Sequence, residues 1–174
     1  MSLVLVGVRG SGKSTVGAML AERLNLEFVD LDAAVEQQAG KSITAIFADE
    51  GEPAFRALES RVLANLADDV IRVVATGGGV VVSAENRRAL ALVGETVWLR
   101  VSPEQAVQRV QSSTHRPKLT ELPPLEEAQK IANEREPYYE EVAEAVFSTD
   151  GKSAEQVCDE LEQFWHSLTT DHLR

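Results

Sequence analysis

The sequence predicts an α/β fold built on a parallel sheet, and two observations carry that expectation. Short, β-branched apolar runs alternate with longer segments of helical period, the pattern of parallel strands joined by crossover helices. The first run, Leu3-Val4-Leu5-Val6, is apolar at every position, as a strand covered on both faces must be, and a glycine-rich turn leads from it into a helix. At 174 residues the chain falls in the range of about 100 to 200 expected of one domain, so residues 1–174 are read as a single unit.

The elements follow in order. A helix is expected from Lys13 to Leu24, with Val16, Leu20 and Leu24 on its inner face. A short strand, Glu27 to Val29, ends at Asp30-Leu31-Asp32. Three helical segments should fill the region to about Asp69: Ala33 to Ala39 closed by Gly40, a second capped by Ser42, and a third starting near Pro53 with the stripe Phe55, Leu58, Val62 and Leu66. Arg56 lies just off that stripe. Val70 to Ala75 reads as a strand running into Gly77-Gly78-Gly79, and Ser83 as the cap of a helix ending near Gly94. Thr96 to Val101 is a further strand, followed by a helix from Pro103 to about Gln111, because Ser102 to Gln105 has capping-box spacing. Residues 112–124 lose all periodicity and carry Pro117, Pro123 and Pro124, which marks a long loop. Leu125 to Val142 is helical, kinked or divided at Pro137, and Ala145 to Ser148 is the last strand. A second capping box at Ser153 to Gln156 opens a closing helix with Val157, Leu161, Phe164 and Leu168 on its apolar face, and the final six residues should fray.

Composition narrows the function. The net charge of −11 disfavours a general nucleic-acid or anionic-membrane surface, so any anion must be met by a local basic site. No run of about 18 apolar residues exists, and Leu3 to Val6 is too short for a signal-peptide core. The single cysteine, Cys158, excludes an intrachain disulfide and a cysteine-based zinc site. A cytoplasmic monomer with a small-molecule substrate, and neither nucleic acid nor membrane as partner, is expected.

Gly7-Val8-Arg9-Gly10-Ser11-Gly12-Lys13-Ser14 fits G-x-x-x-x-G-K-[ST] at every fixed position, between a buried strand and a helix start. Glycines let consecutive N–H groups point inward at phosphate oxygens, and the helix adds its positive end. Lys13 would reach the β- and γ-phosphates of ATP, and Ser14 would offer its hydroxyl to Mg²⁺. Asp30 and Asp32 stand at a strand end where α/β proteins collect ligands; taken alone, the pair reads equally as helix capping and solvated charge. Arg56 alone could be a surface arginine, and Gly77 to Gly79 a plain loop, although three glycines after a buried strand suggest close approach to a ligand.

Taken together, the phosphate loop, Asp30-Leu31-Asp32, Phe55-Arg56, Ala75-Thr76-Gly77-Gly78-Gly79, Thr114-His115-Arg116-Pro117 and Arg135-Glu136-Pro137-Tyr138-Tyr139 resemble the shikimate kinase family over about the first 150 residues. The resemblance implies a three-layer P-loop kinase fold: a five-stranded parallel sheet, helices on both faces, a substrate-binding helical region at about 32–69 and a lid at about 112–124. It implies transfer of the γ-phosphoryl group of MgATP to the 3-hydroxyl of shikimate, in chorismate biosynthesis. Lys13, Asp32 and Arg116 are its implied catalytic residues, with Asp32 helping to remove the proton. Nucleotide contacts would come from Gly10, Ser11, Gly12, Lys13, Ser14 and Thr15, with Arg109 and Lys152 around the adenine and Arg116 over the phosphates. Asp32, Arg56, Arg135, Gly77, Gly78 and Gly79 would hold shikimate, the two arginines on its carboxylate. Ser14 and Asp30 would face the metal. The family's lid often continues Arg-Pro-Leu-Leu, whereas this chain has Arg116-Pro117-Lys118-Leu119, and His115 is read as a solvent-exposed lid residue. The rival readings are another small-molecule kinase, such as gluconate kinase, and a catalytically inactive nucleotide-binding module.

Overall fold

Leu3, Val4, Leu5 and Val6 are each fully buried because they form the middle of a sheet covered on both faces. The structure is a computed structural model that describes residues 1–110 and 122–171. In chain order it contains β1 (Ser2–Val6), α1 (Lys13–Leu24), β2 (Glu27–Asp30), α2 (Leu31–Ala39), α3 (Ile43–Ala64), β3 (Arg72–Ala75), a 3₁₀ turn (Val80–Val82), α4 (Ala84–Val93), β4 (Gly94–Arg100), α5 (Pro103–Val110), α6 (Pro124–Val142), β5 (Ala145–Ser148) and α7 (Ala154–Asp171). Five strands lie in the order β2-β3-β1-β4-β5, every neighbouring pair parallel, with Val4 opposite Val74 and Thr96.

Alternation along β1 sorts the core into two halves. Leu3 and Leu5 pack with Val16 and Leu20 of α1 and Val157, Leu161 and Trp165 of α7, while Val4 and Val6 pack with α2, α3, α4 and Tyr139 of α6. The chain moves from β1 outward to β2, back to β3, then across β1 to β4. The C-terminal ends of β1, β3 and β4 therefore flank the crevice where open α/β sheets bind ligands.

Several boundaries differ from the sequence reading, each for a local reason. The two expected helices between Ser42 and Asp69 join into α3, bent at Gly51 (φ 83°), a conformation that favours glycine. Helix α2 starts at Leu31, because the Asp30 carboxylate accepts from the N–H groups of Asp32 and Ala33. Strand β3 begins only at Arg72, leaving Val70 and Ile71 exposed at the foot of the sheet. Helix α4 does end at Val93, with Gly94 N–H donating to the Leu90 carbonyl, but Gly94 also opens β4, where a Cβ would collide with the Ser2 carbonyl. Helix α6 continues through Pro137, and α7 reaches Asp171, into the tail expected to fray. Of the expected lid, residues 112–121, with His115, Arg116 and Lys118, lie outside the described residues.

Candidate active site

The phosphate loop joins β1 to α1 through two left-handed glycines, Gly10 (φ 85°) and Gly12 (φ 94°). At Gly10 a Cβ would lie 2.7 Å from the Ala106 carbonyl, so only glycine lets the loop settle against α5. Gly12 is the N-cap of α1 and provides no side-chain acceptor, which leaves the first N–H groups of the helix available to an anion. Lys13 is 7% exposed. Its Nζ donates to the carbonyls of Gly7 (2.8 Å) and Val8 (2.9 Å) and to Ser11 Oγ (3.2 Å), so the ammonium is held beneath the loop.

Asp30 caps a helix and also pairs with Ser14. Its Oδ1 caps α2, and its Oδ2 accepts a 2.6 Å bond from the Ser14 hydroxyl, tying β2 to the first turn of α1. A hydroxyl and a carboxylate beside an uncapped helix N-terminus form the all-oxygen donor set that suits Mg²⁺, which keeps several waters and binds through one or two carboxylates plus phosphates. The residues therefore fit a magnesium nucleotide. Thr15, the next residue in the first turn, is exposed.

Beside the loop a cavity of about 750 Å³ gathers residues from four distant parts of the chain. Asp32, Arg56, Gly77 to Gly79 and Arg135 all line it. Gly77 and Gly79 leave room for side chains, and Gly78 for the backbone of the phosphate loop. A Cβ on Gly77 would lie 2.7 Å from Asp32 Oδ1, one on Gly79 2.7 Å from Arg56 Nη1, and one on Gly78 3.5 Å from Arg135 Nη1. Two guanidinium groups thus approach one glycine strip, with Asp32 at its near end. Phe47 and Phe55, with ring centroids 5.0 Å apart, add an apolar wall.

A family model described as shikimate kinase matches residues 9–166. The chain belongs to the shikimate kinase family. With that family it joins the ATP-dependent phosphotransferases. It is 43% identical over 163 residues to the shikimate kinase of Symbiobacterium thermophilum, covering 92% of this chain and 94% of that protein. The solved structure of the Acinetobacter baumannii shikimate kinase in complex with shikimate superposes with a TM-score of 0.89 at 36% identity, covering 95% of this chain and 93% of that one. A gluconokinase from Sinorhizobium meliloti aligns over 99% of this chain and 95% of its own with a TM-score of 0.61 at 18% identity, which shows a shared fold and no more.

In this shikimate kinase family member the two residues expected near the adenine behave differently. Arg109 Nη1 donates to the Gly10 carbonyl (3.1 Å) and Thr149 Oγ1 (3.0 Å), and Nη2 donates to the Thr149 carbonyl (2.7 Å), so it bolts the phosphate loop to the loop after β5. Lys152 Nζ is instead paired with Glu160 at 2.7 Å. The capping box at Ser102 is only half made, because Gln105 Oε1 accepts from Gly151 N–H and from Arg109.

Two site residues escaped the sequence reading. Glu59 is fully buried, accepts from Arg56 Nη1 at 2.9 Å and Asn86 Nδ2 at 3.4 Å, and so aims the arginine at the cavity. Burial pushes its carboxyl above the ordinary range while Arg56 and Arg135 draw it back. Its Oε1 has no hydrogen bond among the described residues and lies 3.3 Å from where a Gly77 Cβ would stand. Its position on the helix, three residues beyond Arg56, is the signal that could have found it.

Tyr139 is the second. Its hydroxyl donates to the Gly78 carbonyl at 2.6 Å and is hydrogen-bonded by Arg135, which fixes the glycine strip and the arginine together. Burial pushes its ionisation up from 10.0 to about 12. The unfolded chain releases this proton near the ordinary value and the folded chain keeps it, so the stability due to Tyr139 is intact below pH 10.0 and falls as pH rises towards about 12. Tyr139→Phe should lower stability by about 1 kcal/mol at neutral pH, the net scale of one hydrogen bond, and should flatten that alkaline loss. Urea unfolding of both proteins at pH 8 and pH 11 checks it; an equally steep alkaline loss in the variant would remove Tyr139 from the account.

Proposed function

We propose that this chain transfers the γ-phosphoryl group of ATP to the 3-hydroxyl of shikimate, giving shikimate 3-phosphate and ADP. The observation that supports the reading best is the convergence of Arg56 and Arg135 on the glycine strip, in a cavity that abuts the phosphate loop and holds Asp32. A planar guanidinium meets a carboxylate in bidentate fashion and keeps its charge at any working pH, so a pair of them selects a ring carrying one carboxylate. Phe47 and Phe55 suit the apolar face of that ring.

The roles of the residues follow from position. Arg56, held by Glu59, and Arg135, held by Tyr139, fix the acceptor's carboxylate end. Asp32 faces the attacking hydroxyl and takes its proton as the new P–O ester bond forms and the bond to the bridging oxygen of the nucleotide breaks. Lys13 and the N–H groups at the start of α1 cradle the phosphates. Ser14 and Asp30 would hold Mg²⁺, which neutralises phosphate charge when bound. Arg116 is assigned to the transferring group, and the enzyme is read as a cytoplasmic monomer.

ADP release measured by a coupled assay with shikimate, quinate, gluconate or no acceptor tests the reading. Turnover should require shikimate; gluconate turnover would favour the sugar-acid kinase reading, and none with any acceptor a nucleotide-binding module. Arg56→Ala and Arg135→Ala should each weaken shikimate binding by roughly 1.5 to 3 kcal/mol, the scale of hydrogen bonds to charged groups, and leave ATP binding nearly unchanged. Isothermal titration that finds shikimate affinity intact in both variants would overturn the assignment.

A further inference from the structure

Arg9 is a third arginine in the cavity, and its setting differs from that of the other two. Arg56 is ion-paired with Glu52 and Glu59, and Arg135 is hydrogen-bonded to Tyr139. Arg9 is half-buried, lines the same cavity, and makes no hydrogen bond or ion pair among the described residues. A guanidinium with its donors uncommitted, in a cavity that also holds acidic side chains, is placed to receive an anion.

Its place in the chain says which anion. Gly78 is the seam of the site: a Cβ there would lie 3.3 Å from Arg9 N and from the Gly7 carbonyl of the phosphate loop, and 3.5 Å from Arg135 Nη1. The carboxylate clamp thus stands on one flank of the seam, and Arg9, four residues before Lys13 on the loop that cradles phosphates, on the other. In the reaction proposed above, the acceptor arrives with one carboxylate, which Arg56 and Arg135 answer. Transfer then adds a phosphomonoester at the ring position facing the loop and Asp32. Once Asp32 has passed on the proton it took, that new charge lies beside a carboxylate, a repulsive arrangement unless a cation on the acceptor side offsets it.

We propose that Arg9 is a product-binding residue that receives the transferred phosphate from the acceptor side and holds the phosphorylated product. No covalent step is added to the transfer already written: the P–O bond to the bridging oxygen breaks, the ester bond forms, the hydroxyl proton passes to Asp32, and Arg9 gains a hydrogen-bonding partner in the ester's oxygens. The inference rests on the proposed reaction, since another acceptor would present a different phosphate ester.

The test is isothermal titration of shikimate 3-phosphate, shikimate and MgADP against the wild-type protein and the Arg9→Met, Arg9→Gln and Arg9→Lys variants, with thermal melts to establish that each is folded. Product affinity should fall roughly tenfold or more in Arg9→Met and Arg9→Gln, the scale of a charge-assisted hydrogen bond. Shikimate and ADP affinities should stay within about twofold, and Arg9→Lys, which keeps the charge and loses the fork, should recover part of the loss. Unchanged product affinity in the folded neutral variants would overturn the proposal. So would an equal loss for shikimate, which would place Arg9 on the carboxylate. A wild-type protein that binds neither shikimate nor its phosphate would instead sink the proposed reaction, so the two failures are told apart.

Discussion

Lys13→Ala should lower turnover by roughly a thousandfold, the upper range for removing one preorganised charge-stabilising donor. The ammonium is the loop cation expected at the β- and γ-phosphates, and charge accumulates on the oxygens around the transferring phosphorus during phosphoryl transfer. Lys13 Nζ donates to two loop carbonyls and to the Ser11 hydroxyl. Those three bonds are local to the loop, and their loss should cost about 1.5 to 3 kcal/mol of stability, the scale of hydrogen bonds to charged groups. A coupled ADP-release assay together with a thermal melt checks both parts. Turnover near that of the wild type in a folded variant would take Lys13 out of the site.

Asp32→Asn should reduce kcat by roughly a hundredfold to ten-thousandfold, the range associated with a positioned general base, and shikimate affinity by much less. The amide still accepts and donates hydrogen bonds to ring hydroxyls, and the backbone N–H that caps onto Asp30 is untouched. What the variant lacks is a group able to take the proton. The split between kcat and KM is the decisive reading: a large rise in KM with kcat intact would make Asp32 a binding residue only.

The phosphate loop was legible in the chain because its chemistry is local. Glycine placement, the buried strand before it and the helix after it all lie within residues 3 to 24, and the structure adds what reaches the loop from elsewhere: the packing of Gly10 against α5 and the bonds from Arg109 and to Asp30. The parallel sheet was legible for a similar reason, since alternating strand and helix signals leave few ways to cover both faces of Leu3 to Val6. Asp30 shows where local reading stops. Capping and the metal side were rival interpretations in the sequence; in the fold one oxygen accepts from the N–H groups of Asp32 and Ala33, and the other accepts from Ser14, which leaves the two readings compatible.

By itself, then, the sequence determined the fold class and the nucleotide loop, and the family resemblance named the candidate reacting residues. Only the tertiary structure decided what positions those residues. Glu59 holds Arg56, Tyr139 holds both Arg135 and Gly78, and Arg109 joins the phosphate loop to the loop after β5. Lys152 is drawn to Glu160. The difference has a physical cause. Secondary structure and phosphate loops follow from propensities and spacings within a few residues, whereas a buried carboxylate or phenol must find its hydrogen-bond partner wherever the packing of the sheet and its helices brings one, here 61 residues away in sequence for Tyr139 and Gly78.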